Sequence, residues 1–256
     1  MRKIAVVSQK GGSGKTTTVV NLAAALGERK SRVLVVDLDS QHSATSWLSF
    51  DDGERGILDV FLGTAKLSDL VRETEVPGVD LVPSSSWLMS AEKALASEVG
   101  AETVLRSQIQ RLPRDRWDYI LMDCPPALGT VTVNALVAAR EVLVPVEAHI
   151  MALHGLPQLW TTVEVVQERL NPELEITGIL PCRVDGRTRH TVSVVEELRR
   201  QFGKKVFRTV IRENVSLAEA PLLAKPITEY RTGSHGAEDY RALARELCMQ
   251  KRKTSQ

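Results

Sequence analysis

A glycine-rich segment near the start of the chain, residues 8–18, carries the side chains best suited to chemistry. It reads S-Q-K-G-G-S-G-K-T-T-T, follows an apolar run at 4–7 and leads into small and apolar residues typical of a helix packed on a sheet. Backbone N–H groups of such a loop can point at an anion, and the following helix adds the positive end of its dipole. The segment therefore predicts a phosphate-binding loop between a strand and a helix.

The side chains of this loop predict a nucleoside triphosphate with Mg²⁺. Lys15 supplies a positive charge for the outer phosphates, and Thr16 supplies a hydroxyl oxygen, the kind of ligand that Mg²⁺ prefers. The pattern G-x-x-x-x-G-K-[ST] is not fully met, because its first glycine would fall on Gln9, and a second lysine, Lys10, stands before the glycines. The predicted phosphate-binding residues of the loop are Gly11, Gly12, Ser13, Gly14, Lys15, Thr16 and Thr17.

Two later apolar runs, 33–36 and 119–122, end in aspartates. Ligands of parallel α/β sheets bind beyond the carboxyl ends of the strands, so these aspartates are expected beside the glycine loop. Asp123 fits the carboxylate that holds the hydration shell of Mg²⁺. Asp39 is predicted to orient or activate the attacking water and is also a candidate for the metal site, whereas Asp37 is expected to be structural. The alternative for either site residue is that it only caps the following helix.

Short β-branched runs alternate with helical periods along the chain, which predicts a mostly parallel, twisted sheet with helices on both faces. We expect strands at residues 3–8, 32–37, 79–83, 119–123, 141–146, 175–181 and 206–211, and helices at 16–29, 88–112, 130–139, 154–170, 190–202 and 236–250. The prediction is one α/β P-loop NTPase domain over residues 1–250, followed by a short basic tail at 251–256.

Composition narrows the class of protein further. A net charge of +1 over 256 residues excludes a globally basic nucleic-acid binder, although it permits a local patch. The 3 cysteines are too scattered for a disulfide framework, and the 5 histidines show no metal-ligand spacing. No apolar run approaches the length of a membrane span. We therefore expect a soluble, cytoplasmic protein without a membrane partner.

Several motifs together resemble the ParA/Soj branch of the deviant Walker A ATPases, in the ParA/MinD superfamily. They are K-G-G-S-G-K-T-T-T at the glycine loop, V-D-L-D-S-Q after the second predicted strand, D-C-P-P-A-L-G at Asp123, and V-F-R-T-V-I-R-E-N-V-S-L-A-E-A-P at 206–221. The resemblance covers essentially the whole chain. It implies ATP and Mg²⁺ as cofactors, and slow ATP hydrolysis that a partner protein stimulates.

The same resemblance implies roles for particular residues. Lys10 would be the signature lysine, which reaches across a homodimer interface to the phosphates of the partner's ATP and so belongs to the catalytic site. Asn214 and Pro221 would lie against the base. The ATP-bound dimer would bind DNA without sequence specificity on the nucleoid, and a ParB-like or cargo-adaptor protein would release it.

A basic stretch at residues 183–212 agrees with that expectation. It holds nine basic residues against three acidic ones, enough to neutralise several phosphates in a salt-dependent, sequence-blind manner. The alternative is a solvated helix face with scattered ion pairs. The candidate DNA-binding residues are Arg187, Arg189, Arg199, Arg200, Lys204, Lys205 and Arg212.

The chain also departs from the family pattern, and three functions stay open. Glu147, Ala148 and His149 stand where relatives often read Q-C-E. The cargo could be a plasmid, a chromosome origin or a protein organelle such as a carboxysome. A MinD-like ATPase that cycles on membranes through a C-terminal amphipathic helix is the main alternative. A metabolic or redox P-loop enzyme is the third.

Overall fold

A computed structural model of the protein describes residues 1–48, 55–91, 95 and 98–250, with the backbone alone at 150–154. Seven strands form one sheet in the order β3-β4-β2-β5-β1-β6-β7, and every neighbouring pair is parallel except β3 with β4. The strands are β1 Arg2–Val6, β2 Val33–Asp37, β3 Arg72–Glu73, β4 Val79–Val82, β5 Tyr119–Asp123, β6 Glu141–Glu147 and β7 Glu175–Cys182.

Helices connect the parallel strands. The α-helices within the described residues are α1 Lys15–Glu28, α2 Ser43–Trp47, α3 Ile57–Phe61, α4 Val104–Gln110, α5 Thr130–Ala138, α6 Ile150–Arg169, α7 Arg189–Phe202, α8 Val215–Glu219, α9 Ile227–Tyr230 and α10 His235–Met249. Short 3₁₀ helices cover Leu67–Leu70, Ser86–Ser90, Ala101–Thr103, Gly203–Lys205 and Ala220–Leu223.

Two hydrophobic layers cover the two faces of the sheet. Alternate residues of a strand point to opposite faces, so Ile4 and Val6 of β1 pack in the layer that contains α1 and α10, and Ala5 packs in the layer of α4 to α7. The buried strands are apolar almost throughout because both of their faces are covered. The predicted fold class, an α/β sheet with helices on both faces, is confirmed.

The strand predicted at residues 206–211 is wrong. Within the described residues, this segment makes one isolated bridge to β7, from Val206 to Ile179, and the residue after it, Arg212, makes a second one to Val184 beyond the end of β7. The N–H groups of Arg208 and Thr209 turn instead to the carboxylate of Glu246 on α10, at 2.8 and 2.9 Å. The ring of Phe207 lies over Gly178 of β7, where any larger side chain would collide with it. Side-chain anchoring thus replaces a regular ladder here.

The helix predicted at residues 88–112 is also wrong as one continuous element. Gly100, in the left-handed region at φ 76°, separates the later part, where a 3₁₀ turn leads into α4. Residues 92–94 and 96–97 of this prediction, and the whole predicted tail at 251–256, lie outside the described residues. The short antiparallel edge strand β3 was not predicted, since two exposed charged residues carry no strand pattern.

Candidate phosphate and metal site

The glycine loop joins β1 to α1 with a backbone that only glycine adopts freely. Gly12 and Gly14 have φ angles of 73° and 92°, and α1 begins directly after Gly14, whose carbonyl accepts a hydrogen bond from the Thr18 N–H at 2.8 Å. A Cβ atom placed on Gly11 or Gly12 would meet no atom of the described residues within 4 Å. The loop is therefore open to an anion at the N-terminus of a 14-residue helix.

Strand register brings the predicted acidic residues to the same edge of the sheet. Asp123 at the end of β5 is the register partner of Val6 on one side and of Asp37 on the other. Just beyond the strand ends, the Leu38 N–H donates to the Asp123 carbonyl at 2.9 Å. Lys15 and Asp39 lie close enough to this carboxyl to shift its pKa. The structure thus gathers the ends of β1, β2 and β5 around one point.

Asp123 carries the clearest chemical signal at this edge. Both of its carboxylate oxygens are fully buried, and neither accepts a hydrogen bond from any residue that the structure describes. Burial raises the pKa of the carboxyl well above its usual range, and the charge of Asp37 adds to this effect, while the Thr16 hydroxyl and the Lys15 charge oppose it. A buried, unpaired carboxylate is costly, and functional sites retain such groups for a ligand.

The surrounding donors fit a phosphate chain with Mg²⁺. The Ser13 hydroxyl is buried and lacks a hydrogen-bond partner among the described residues. Lys15 is only 7% exposed, and Thr16 follows it at the start of α1. A hydroxyl, a carboxylate and an ammonium group around an open glycine loop are the set that Mg²⁺ and phosphates require. Thr16 and Asp123 would hold the ion, and Lys15 the outer phosphates.

Asp37 uses its carboxylate to fix local structure. Its oxygens accept hydrogen bonds from the Asp39 N–H at 3.1 Å and from the N–H and hydroxyl of Thr45 on α2, at 2.8 and 2.7 Å. Burial raises the pKa of Asp37 to about 6 although these donors act in the opposite direction. This carboxylate therefore fastens α2 to the end of β2, as expected for a structural residue.

Replacing Asp123 or Asp37 by asparagine should change the stability of the protein in opposite directions. We expect Asp123→Asn to stabilise the nucleotide-free, Mg²⁺-free protein by about 1 kcal/mol, because it removes an unpaired buried charge. Asp37→Asn should destabilise it by about 1–2 kcal/mol, because the amide group cannot accept all three hydrogen bonds. Thermal unfolding in EDTA measures both, and about 1 kcal/mol corresponds to about 2–4 °C in a chain of this size.

The difference in stability between Asp123→Asn and the wild type should also depend on pH. The pKa of the Asp123 carboxyl is higher in the folded chain than in the unfolded chain, so the wild type loses stability as the pH rises through the folded value. The advantage of Asp123→Asn should therefore widen as the pH rises and close as it falls. A variant that is less stable than the wild type at every pH would show that the Asp123 carboxylate has a stabilising partner.

Asp39 lies half-buried in a turn that begins where β2 ends. Its Oδ1 atom accepts a hydrogen bond from the Gln41 N–H at 3.0 Å, and its carbonyl accepts from the Ser84 hydroxyl at 2.8 Å and the His42 N–H at 2.9 Å. The backbone of Asp39 is thus held from two sides, and its Oδ2 atom takes no part in the turn. The Asp39 carboxylate therefore does not cap α2, and its action on a water or a metal ion stays a prediction.

The structure brings Lys10 to an acidic residue of its own chain. Its ammonium group donates to Oε2 of Glu147 at 2.7 Å, where β6 ends. The other oxygen of this carboxylate accepts from Arg183 at 3.4 Å. The hydrogen bond from Lys10 lowers the pKa of Glu147 more than any other contact. The sequence marked Glu147 only as a departure from the family pattern, and no spacing signal linked it to Lys10.

The two predicted base-contact residues lie on the connection between α7 and α10. Asn214 accepts a hydrogen bond from the Ser216 N–H at 2.9 Å and so caps α8. Pro221 is exposed in the 3₁₀ turn that follows α8. Nothing in these positions tests whether Asn214 and Pro221 contact a nucleotide base, so that contact stays a prediction.

The basic segment is defined here as residues 183–212, and most of its charges are exposed on and around α7. Two of them form ion pairs with acidic residues of the same segment, Arg187 with Asp185 and Arg200 with Glu197, and Arg183 pairs with Glu147 of β6. The Lys205 ammonium lies 4.3 Å from the Trp160 ring centre. Arg189, Arg199 and Lys204 are exposed. Exposed ion pairs contribute little, so phosphate groups can compete for these arginines.

Arg212 is separate from that surface. Its guanidinium group donates to the Asp239 carboxylate at 2.6 Å and also to Glu238, on α10. This network fastens the end of the basic segment to α10, and a DNA phosphate would have to displace two carboxylates to reach it. The prediction of Arg212 as a DNA contact is therefore not supported by its surroundings.

The C-terminal helix α10 packs inward. Leu243, Ala244 and Leu247 are fully buried in the layer that α10 forms with α1. Its apolar face is therefore part of the core. None of the helices in the described part of the chain combines the length and hydropathy required to cross a membrane.

Comparisons with known proteins agree with this geometry. A family model described as an AAA domain matches residues 1–176. The chain is 46% identical over 247 residues to the chromosome-partitioning ATPase Soj of Thermus thermophilus, covering 96% of this chain and 95% of that protein. It is 43% identical over 246 residues to the sporulation initiation inhibitor protein Soj of Bacillus subtilis, covering 95% and 97%.

Among solved structures, the chain resembles cobyrinic acid a,c-diamide synthase from Mycobacterium smegmatis, solved with a bound ATP analogue and magnesium. The TM-score is 0.85 at 34% identity, and the alignment covers 97% of this chain and 94% of that one. The similarity therefore extends over the glycine loop, the strand-end aspartates and the basic segment alike.

Proposed function

The chain belongs to the AAA-domain family of P-loop ATPases that includes Soj, and on that premise we propose that it is an ATP-dependent, dimerising partition ATPase. In its ATP state it binds DNA without sequence specificity on the nucleoid, and it positions or segregates a cargo. A ParB-like protein or a cargo adaptor stimulates hydrolysis and so releases it. The cargo is a chromosome origin, a plasmid or a protein organelle such as a carboxysome.

The observation that carries this proposal is the intact phosphate site preceded by a second, exposed lysine. The open loop, Lys15, Thr16 and the unpaired Asp123 carboxylate suit ATP with Mg²⁺ within one subunit. Lys10 lies outside that cluster, with its side chain half exposed. An exposed lysine beside a phosphate site suits the phosphates of a nucleotide held by a second subunit.

Hydrolysis follows from the roles that the residues can take. Mg²⁺, when bound, supplies positive charge to the phosphate oxygens. Lys15 neutralises the outer phosphates, and Asp39 orients the attacking water and accepts its proton. Without an arginine supplied by a partner, turnover is expected to be slow, because such a group is worth roughly 10³–10⁵ in rate.

The exposed face of α7 suits the DNA backbone. Arg189 and Arg199 are exposed, while Val194 and Leu198 bury the opposite side of the helix. A protein that contacts several phosphates loses affinity steeply with salt and does not discriminate between sequences. This behaviour suits an ATPase that moves over the nucleoid.

Charge reversal on this face tests the proposal. We expect Arg189→Glu combined with Arg199→Glu to weaken binding to random-sequence DNA in ATP by at least about tenfold and to lower the salt slope by about 2, since two phosphate contacts are lost. ATP affinity should not change, because neither residue is near the glycine loop. Fluorescence anisotropy over a salt series measures the DNA affinity, and isothermal titration measures the ATP affinity.

The matched control is Arg111→Glu with Arg114→Glu, which makes the same change in charge on exposed residues beyond α4. Equal weakening by both pairs would show that only net charge matters and that α7 is a solvated face. Wild-type protein that binds anionic vesicles in ATP and does not bind DNA would contradict the proposal and favour a membrane-cycling ATPase.

A further inference from the structure

The short segment that follows the end of β6, residues 147–149 and here called the coupling segment, touches the basic segment with each of its three residues. Glu147 binds Arg183 through its carboxylate. Ala148 packs in a small apolar cluster with Val184 and Val195. The His149 ring meets the His190 ring edge-on, with centroids 5.5 Å apart. The coupling segment is therefore attached along the first half of the basic segment.

The same carboxylate also holds the phosphate-binding loop. Oε2 of Glu147 accepts from Lys10 at 2.7 Å, while Oε1 accepts from Arg183 at 3.4 Å. Glu147 thus joins a residue of the glycine loop to the beginning of the basic segment. A change in the position of Lys10 removes one of the two contacts that fix this carboxylate beside Arg183.

Both cations can leave this carboxylate. The side chains of Lys10 and Arg183 are 50% and 63% exposed, so neither is locked in the core. Lys10 and Glu147 also line a cavity of about 250 Å³ between β6 and α6, so open space adjoins both side chains. The contacts of Glu147 are therefore exchangeable ones.

Arg183 stands at the start of the basic segment, so its side chain can reach a DNA phosphate once it leaves Glu147. It follows β7 directly, and its φ of 52° lies in the left-handed region, which is unfavourable for a residue with a Cβ atom. Its neighbour Val184 pairs with the far end of the basic segment, since its N–H donates to the Ile211 carbonyl at 3.0 Å. The ion pair with Glu147 therefore lies directly beside the bond that fastens this turn to the far end of the basic segment.

We propose that Glu147 is a positioning residue that links the nucleotide state to DNA binding, by holding Lys10 and Arg183 together until Lys10 moves to phosphate. This inference rests on the proposed function. While Lys10 stays on Glu147, the carboxylate also holds Arg183 away from DNA phosphates. Lys10 also anchors the Glu147 carboxylate in its place beside Arg183, so movement of Lys10 to a nucleotide in the dimer removes that anchor, and the coupling segment then shifts against the basic segment.

The test is the ratio of DNA affinities in ATP and in ADP for Glu147→Gln. The amide cannot hold two cations, so Arg183 becomes available in either nucleotide state. We expect DNA binding in ADP to tighten by about three- to tenfold and its salt slope to steepen by about 0.9, the value for one added phosphate contact. The ATP-to-ADP ratio should fall accordingly. A residue that only maintained structure would not tighten binding in ADP.

Three further variants make the result decisive. Glu173→Gln is the matched control, because it removes one carboxylate from another exposed ion pair, with Arg140, and should leave the ratio unchanged. Glu147→Asp keeps the charge and should restore part of the ratio. Adding Arg183→Gln to Glu147→Gln should cancel the gain in ADP, since the released cation is then absent.

The outcomes separate this inference from the proposed function. An unchanged ratio in Glu147→Gln, with a wild type that prefers ATP, overturns the link and leaves the proposed function standing. An equal fall in Glu173→Gln, or a gain that Arg183→Gln does not cancel, also overturns it. A wild type that binds DNA equally in ATP and ADP contradicts the proposed function and the link with it.

Discussion

Lys15→Ala is expected to reduce ATP turnover by at least about 10²–10³, the usual cost of removing one preorganised donor from a charge-stabilising site. The Lys15 side chain is 7% exposed at the first position of α1, and its charge acts on the buried carboxyl of Asp123. Neither the Thr16 hydroxyl nor the loop N–H groups replace a full positive charge. Steady-state phosphate release and nucleotide titration measure the loss.

Truncation of a buried stem can also disturb packing, so a second variant is needed. Lys15→Met keeps most of the aliphatic stem and removes only the charge. We expect it to lose turnover as fully as Lys15→Ala while its melting temperature stays close to that of the wild type. Normal turnover in Lys15→Met would show that the phosphate charge is neutralised elsewhere and that the glycine loop is not the ATP site.

The positions of the candidate phosphate-site residues could be predicted from sequence because local rules determine most of them. The glycine loop needs φ > 0 at Gly12 and Gly14, and the helix must begin at Lys15 for the loop to face an anion. Asp39 and Asp123 follow apolar strands, and parallel pairing brings the carboxyl ends of such strands to one edge. Local pattern and sheet topology together therefore predicted where these side chains would lie.

Contacts between distant segments could not be predicted in the same way. Neither the pairing of Lys10 with Glu147 nor the bond from Ser84 to the Asp39 carbonyl follows from any spacing in the chain. The strand predicted at 206–211 failed for a related reason, because Glu246 on α10 captured the N–H groups that a ladder would need. Tertiary side-chain contacts overrode a β-branched pattern that was locally correct.

The sequence also could not predict which charges of the basic segment are paired with acidic residues of other segments. Its nine basic residues were counted as one surface, yet the fold directs Arg212 into α10 and leaves Arg189 and Arg199 exposed. Sequence gives the number of charges in a stretch but not their partners. Only the positions of Asp239 and Glu238 in the fold show that Arg212 already has two carboxylate partners, which argues against its being a phosphate contact.

Asp39→Ala is expected to leave ATP-dependent dimerisation intact and to lower turnover by about 10²–10⁴, the range for a lost general base. Among the described residues, the side chain makes one hydrogen bond, from the Gln41 N–H, whereas Ser84 and His42 hold the backbone carbonyl. The variant should therefore fold normally and bind ATP. Sedimentation with ATP measures dimer formation, and phosphate release measures turnover.

Asp39→Asn separates the carboxylate from the turn that it forms. The amide oxygen can still accept the Gln41 N–H, so the turn persists, but the amide group cannot take a proton from water at neutral pH. If Asp39 acts on the attacking water, both variants lose turnover and both still form dimers in ATP. Turnover retained in Asp39→Asn and lost in Asp39→Ala would assign the turn, and not the carboxylate, to the reaction. Turnover at the wild-type rate in both would remove Asp39 from catalysis.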